Sequence, residues 1–166
     1  MEEKRWLISR QKLLERLSYD PKTGSLWWKV AAGGKAAAST RAGSKDGKGY
    51  RQINIGGKVF REHRLIWFYV TGTWPRREID HRNGLGDDNR WDNLREATST
   101  INKENRRRAN RNNRLGRLGV GERNGRYRAR IMVDRREIHL GRFDSPEQAQ
   151  LAYIEAKRQY HQGGTL

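Results

Sequence analysis

Residues 61–102 read REHRLIWFYVTGTWPRREIDHRNGLGDDNRWDNLREATSTIN, and the way this stretch is read decides the rest. In its first third His63, Ile66, Trp67 and Val70 fall at i, i+3, i+4 and i+7, the spacing of a helix with one buried face, and Gly72 and Pro75 stop it. From Arg76 onward the character changes to dense Asp, Asn and Arg with few apolar anchors, which is where chemistry would sit. Asp80 and His81 are adjacent, with Asn93 and Asn102 downstream. Asp and Asn supply oxygen ligands suited to Mg²⁺, an ion that keeps several waters and accepts a phosphate oxygen. An imidazole is the natural group to take a proton from water at neutral pH, and an amide oxygen can hold it in one tautomer. The same residues also allow an ordinary reading, with Asp80 capping a turn, the Asn-rich loop serving as turn chemistry and His81 at the surface.

Upstream, apolar positions at Trp6, Leu7, Leu13, Leu14 and Leu17 predict a short helix, followed by the turn signal YDPKTG and a strand in SLWWKV. Residues 31–49 are small, polar and glycine-rich and read as a loop. Tyr50, Ile53, Ile55 and Val59 alternate around Gly56-Gly57, a hairpin signature. Downstream, NKENRRRANRNNRLGR (102–117) is cationic with almost nothing to bury: it reads as a solvated linker, including the tail of a helix starting near Thr100, and, compatibly with that, as a strip along phosphates. The last fifty residues differ. GRYRARIMV and REIHLGRF are alternating runs joined by Asp134-Arg135, and DSPEQAQLAYIEAKRQYH is a helix capped by Asp144 or Ser145 with Pro146 in its first turn. Ala149, Ala152, Tyr153 and Ala156 give that helix a face that can lie on a sheet. Tyr127, Ala129 and Ile131 point one way along the first run, and Arg126, Arg128 and Arg130 the other. His139 points outward if Ile138 and Leu140 face the helix; His161 is expected to face solvent without a role.

Composition limits what the chain can be. It has 166 residues, 36 Lys+Arg against 19 Asp+Glu and a net charge of +17, so an anionic partner is expected. Leu, Ile, Val and Phe make up only roughly 18% of it, while six Trp and six Tyr favour small compact modules over one deep core. No Cys is present, which excludes disulfides, Cys-ligated zinc and a thiol nucleophile. No apolar run reaches the ~18–20 residues of a membrane span and the start lacks a secretory pattern, so a soluble, intracellular (cytoplasmic) protein is expected.

The stretch 59–106 closely resembles the HNH endonucleases of bacteriophages and group I introns. The carrying residues are His63-Arg64-Leu65, Ile79-Asp80-His81, the loop Asn83 to Asn89, Asn93-Leu94-Arg95 and Asn102, and YDPKTGSLWW resembles the lead-in of the phage members. The resemblance implies a ββα-metal fold: a strand ending in Asp80-His81, an extended loop, a second strand, and a helix carrying the last ligand. It makes His81 the base that activates water and Asn93 the residue that orients it. Asp80 and Asn102 would hold one Mg²⁺ or Mn²⁺ on the scissile phosphate, and His63 would pack on the helix or support the site from behind. Asn102 stands where the founding motif has His, which favours Mg²⁺ over Zn²⁺ or Ni²⁺.

LGVGERNGRYRARIMVDRREIHLGRFDSPEQAQLAYIEAK (118–157) resembles the plant APETALA-two/ethylene-response-factor DNA-binding domain, through Gly119-Val120, Gly125-Arg126-Tyr127, Ala129, Ile131, Leu140 to Phe143, Glu147, Ala149, Ala152-Tyr153 and Ala156. That resemblance implies a three-stranded sheet in the major groove with the helix behind it. Arg126, Arg128, Arg130 and His139 would then lie on the DNA side, with Arg123 and Arg136 at the turns. The cationic residues before it, Arg106, Arg107, Arg108, Arg111 and Arg114, are further candidates for phosphate contact.

The expected architecture is therefore α+β: a lead-in (1–57), an HNH core (58–106) with an extra β-hairpin, a basic linker (107–116), and a three-stranded antiparallel sheet packed on one helix (117–166). The expected function is a metal-dependent DNA endonuclease of phage or homing type acting on double-stranded DNA, nicking as a monomer, with no membrane and no protein partner implied. The competing expectation is a sequence-specific DNA-binding regulator with an inactive HNH module; an RNA-directed protein is a third.

Overall fold

The computed structural model describes residues 8–33, 37–106, 109–110 and 112–161; the readings placed on Trp6, Leu7, Arg107, Arg108 and Arg111 lie outside them. Among the described residues the chain is mixed α+β, with several small antiparallel sheets and four helices. It divides into two compact units: one runs up to His81 and includes Leu85–Glu96, the other takes Arg82–Gly84 and everything from Ala97 on.

In the first unit, Ser9 caps helix α1 (Arg10–Arg16) by accepting from the Lys12 N–H at 3.2 Å. Strand β1 (Leu17–Asp20) follows without a break and pairs antiparallel with β2 (Ser25–Trp28). The sequence reading carries Leu17 in the helix. The fully buried Leu17 satisfies the helical period and opens the strand, so periodicity does not separate the two. The turn between β1 and β2 is held by Asp20, which accepts from Lys22 N at 2.9 Å and Thr23 Oγ1 at 2.7 Å.

The expected loop 31–49 is partly ordered by pairing. Ala42 is fully buried, Trp27 bridges Arg41, and β3 (Ser44–Lys45) pairs with β4 (Arg51–Ile55). Strands β4 and β5 (Lys58–Arg61) form the expected hairpin. Its turn is Gly56-Gly57, both with positive φ (60° and 81°), which a two-residue turn compatible with strand twist requires. Helix α2 (Glu62–Thr71) ends at Gly72 in the left-handed conformation. Strands β6 (Glu78–His81) and β7 (Leu94–Ala97) form a two-stranded sheet, and a single 3-10 turn, Trp91–Asn93, leads into β7. Leu13, Leu17, Leu26, Ile53, Leu65 and Ile66, all fully buried, form the core. Each such side chain contributes about 1.5–3 kcal/mol through removal from water.

The second unit begins with α3 (Ser99–Glu104), capped by Thr98 Oγ1 accepting from Ile101 N. Strands β8 (Val120–Arg123), β9 (Arg126–Val133) and β10 (Arg136–Phe143) form an antiparallel sheet in the order β10-β9-β8. Helix α4 (Pro146–Tyr160) has Ser145, rather than Asp144, as its cap. Its buried Ala149, Tyr153 and Ala156 pack against Val120, Ala129 and Ile131. Part of the expected linker is built into this unit. Leu115 and Leu118 pack on its core, and Asn113 Nδ2 donates to the carbonyls of Arg117 and Val120 at 2.6 and 2.9 Å. Lys157 is buried and donates to the Arg106 carbonyl at 2.6 Å, tying α4 to the end of α3. His161 also has a structural place, against expectation: its Nε2 lies 2.7 Å from the Met132 carbonyl. No helix among the described residues is long and apolar enough to cross a membrane.

Candidate active site

Strand β6 ends in Asp80 and His81, and both are buried, at 4% exposure each, which removes the reading of a surface histidine beside a turn-capping aspartate. Asp80 Oδ2 accepts from Arg95 of β7 through Nε (2.9 Å) and Nη2 (2.8 Å), so strand pairing places a guanidinium on the carboxylate. The His81 ring packs against His63 at 5.2 Å between centroids and nearly perpendicular, and against Tyr50 at 5.8 Å. Tyr50 also lies over Gly86, where a Cβ would meet its ring at 2.8 Å, so the loop passes directly beneath an aromatic side chain.

The loop after His81 is held from several sides. His81 Nε2 lies 2.8 Å from Asn89 Oδ1, and Asn89 Nδ2 donates to Glu62 Oε2 at 2.7 Å; Asn89 and Glu62 are both fully buried. The Tyr19 hydroxyl donates to the Asn89 carbonyl at 3.1 Å. A Cβ on Gly24 would come within 2.4 Å of the Asn89 carbonyl carbon and 2.3 Å of the Arg90 nitrogen, and φ there is +68°. Only glycine lets the β1–β2 turn press so closely on the loop backbone. The lead-in hairpin is thus part of the clamp on Asn89. Lys45 pairs with Asp87, and Arg90 with Asp88 at 2.6 Å.

Asn93 enters the site differently from the sequence reading, which places it on the His81 ring. The structure seats Asn89 there, while Asn93 Nδ2 donates to the Asp88 carbonyl at 2.6 Å and draws the loop closed beside Asn89. Asn93 ends the 3-10 turn, so its amide faces back along the loop. Asn102 lies on α3, in the second unit. Among the described residues no three or more His, Asp and Glu side chains cluster as a metal site. A metal bound here must take amide oxygens, waters or substrate oxygens as ligands. Asp80 with Asn amides fits a hard ion such as Mg²⁺ or Mn²⁺ and does not fit a closed tetrahedral zinc set.

Burial governs the titration of the site. His63 is pushed down to about 3, chiefly by desolvation and then by His81, Arg64 and Arg61, and its Nδ1 is buried with no hydrogen-bond partner. His81 is lowered by desolvation, opposed by its bond to Asn89 and by Asp80. Glu62 is raised by desolvation, opposed by the Leu26 N–H. Both imidazoles are therefore neutral at neutral pH. Between about pH 3 and 6.5 the unfolded chain binds a proton at position 63 that the folded chain refuses, so stability rises with pH across that window and is complete above it. His63→Phe, which keeps a ring and cannot titrate, should therefore flatten urea-derived stability between pH 4 and 6. The expected loss of slope is on the order of 1 kcal/mol per pH unit. The opposite contribution of Glu62 is common to both proteins and cancels on subtraction; parallel curves would show that His63 is not held neutral.

In the second unit, register places the expected arginines. Arg126, Arg128 and Arg130 stand on the sheet face away from α4, with His139 opposite Arg130 and Arg123 opposite Arg126. A bulge between His139 and Gly141 reverses the alternation, so Arg142 lands opposite Arg128 on that same face. The sequence reading overlooks Arg142 because strict alternation assigns it to the helix side. Arg136 pairs with Val133 and so stands on the helix side, apart from the ridge. Arg123, Asn124, Arg126, Arg128 and Arg142 surround a depression of about 310 Å³. Arg126 pairs with Asp144, and Arg130 with Glu137 at 3.0 Å. Arg106 Nη1 donates to Asn110, and Arg114 is exposed.

Residues 61–104 match the family model described as HNH endonuclease, which supports an HNH endonuclease module there. No curated protein and no solved structure matches the chain. The family match suggests a nuclease or DNA-binding HNH protein, with DNA as the substrate and, as for HNH nucleases generally, a dependence on divalent metal.

Proposed function

We propose that the protein is a metal-dependent endonuclease of phage or homing type that hydrolyses phosphodiester bonds in double-stranded DNA, nicking one strand per engagement as a monomer. The observation that carries this reading is His81: buried, held neutral, beside the buried Asp80, with Nε2 on the Asn89 oxygen. With Nε2 donating, Nδ1 carries the lone pair and takes the proton from the attacking water. Asn89 and Asn93 keep the ring and its loop in place, and Arg95 orients the Asp80 carboxylate. Asp80 would hold Mg²⁺ or Mn²⁺ together with Asn102, whose support is the family match that runs through it. Such an ion stabilises charge on the phosphoryl group and on the leaving 3′ oxygen.

The C-terminal sheet serves in this reading as the duplex-binding element, in the manner of an APETALA-two-like domain. Two cross-strand pairs, Arg123 with Arg126 and Arg128 with Arg142, set like charges opposite each other, an arrangement that disfavours the free protein and favours one bound to phosphates. The test is incubation of purified protein with supercoiled plasmid and Mg²⁺. Conversion to open circles, abolished by chelator, is expected. Plasmid retained in a gel shift yet intact across Mg²⁺, Mn²⁺ and pH would make the protein a DNA-binding regulator instead.

A further inference from the structure

We infer that Glu62 is a positioning residue that fixes which nitrogen of His81 carries the proton. Its consequence for catalysis rests on the nuclease reading above, while the protonation pattern itself does not.

Hydrogen-bond polarity runs in one direction along a buried line of three side chains. Glu62 stands at the start of α2, fully buried. Its Oε1 accepts from the backbone N–H of Leu26 in β2 at 3.1 Å. Its Oε2 accepts from Asn89 Nδ2 at 2.7 Å, with Arg51 Nε at 3.9 Å. The Leu26 N–H cannot turn round, so Oε1 accepts; Arg51, whose Nε makes no hydrogen bond, acts on Oε2 only as a nearby positive charge that favours the carboxylate, and a carboxylate accepts at both oxygens. Asn89 must then turn its NH₂ toward Glu62 and its oxygen toward His81, 2.8 Å away. An amide oxygen cannot donate, so the proton of the neutral imidazole is on Nε2 and the lone pair is on Nδ1. The Glu62 carboxylate, an acceptor at both oxygens, thereby sets the direction of the whole line, and the Leu26 N–H holds one of those oxygens in place. Burial raises the Glu62 carboxyl, so the fold bears a cost for an acid at this position.

Glu62→Gln is close to isosteric and breaks the polarity at one point. The introduced amide oxygen is required by Leu26 N–H, which leaves the introduced NH₂ facing the Asn89 NH₂. Asn89 relieves this by turning over, presents Nδ2 to His81, and forces Nε2 to accept; the proton moves to Nδ1 and the base is withdrawn. Adding Asn89→Asp restores the line, because a carboxylate there accepts from the amide at position 62 on one side and from His81 Nε2–H on the other.

The experiment is ¹⁵N NMR of histidine-labelled protein at pH 7.5, with the His81 signals assigned by their loss in His81→Ala, alongside plasmid nicking and duplex affinity. Wild type and Glu62→Gln/Asn89→Asp are expected to show the Nε2–H tautomer, and Glu62→Gln the Nδ1–H tautomer. Nicking should fall about a hundredfold in Glu62→Gln at unchanged affinity and recover in the double variant. An unchanged tautomer in folded Glu62→Gln, or an Nδ1–H pattern in the double variant, overturns the inference. If Glu62→Gln does not fold, the pattern in the double variant decides. A wild type that follows the tautomer pattern but never nicks supports the role of Glu62 and removes the nuclease reading; one that nicks while His81 ignores position 62 does the reverse.

Discussion

His81→Ala is expected to leave supercoiled plasmid intact under conditions in which wild type converts it to open circles, with the rate reduced about 10²–10⁴-fold. That range is what a positioned general base contributes to proton transfer from water. His81 packs among His63, Tyr50 and Asn89, so the substitution also leaves a void and an amide oxygen without its donor, at a cost on the order of 1–3 kcal/mol. The rate must therefore be measured on protein shown by circular dichroism and by duplex binding to be folded. The arginines proposed to bind the duplex belong to the other compact unit, so duplex affinity should change little. The pH profile gives a second readout. Burial holds His81 below its ordinary value, so wild-type nicking should fall at a lower pH than a free imidazole would give. A variant that nicks as fast as wild type would remove His81 from the chemistry and the endonuclease assignment with it.

What could be read in the sequence and what could not separate along a physical line. The Gly56-Gly57 hairpin, α2 with its stop at Gly72, and the capped α4 are local: turn geometry, periodicity and caps act within a few residues, and their signals are printed in order along the chain. Asp80 and His81 could be singled out because chemistry restricts the residue types. Their supports could not be. Glu62 reads in sequence as an acid at the positive end of a helix dipole, and its burial against Leu26 and Asn89 follows from contacts 36 and 27 residues apart. Asn89 is one of several Asn and Asp residues in a loop whose composition gives none of them priority; it is marked out only by long-range contacts, with Tyr19 on its carbonyl, Glu62 on its amide and Gly24 against its backbone. Arg142 changes face through a single bulge, a feature that alternation cannot announce because it consists in breaking the alternation. Gly141, with φ of 135° in that bulge, is the available signal, since a glycine inside a strand pattern marks such a site.

Replacing Arg123, Arg126, Arg128 and Arg142 together with Ala should lower duplex affinity by about two to three orders of magnitude near 100 mM salt, and should flatten its salt dependence. Each arginine that neutralises a phosphate releases a condensed counterion and contributes roughly 0.9 to the slope of log affinity against log salt. Four such contacts predict a slope reduced by about 3 to 4. The fold should tolerate the change. These side chains stand on the face away from α4, the Arg126–Asp144 pair is exposed and worth at most about 1 kcal/mol, and removing like charges from opposed positions relieves repulsion. Nicking at saturating protein should persist, because none of the four belongs to the unit that holds His81. Arg136→Ala supplies the control within the same sheet. It removes the same charge from the helix side, so it should shift affinity no more than about threefold and leave the slope unchanged. If Arg136→Ala and Arg128→Ala weaken binding equally, general charge and not the arginine face draws the DNA, and the sheet loses its assigned role.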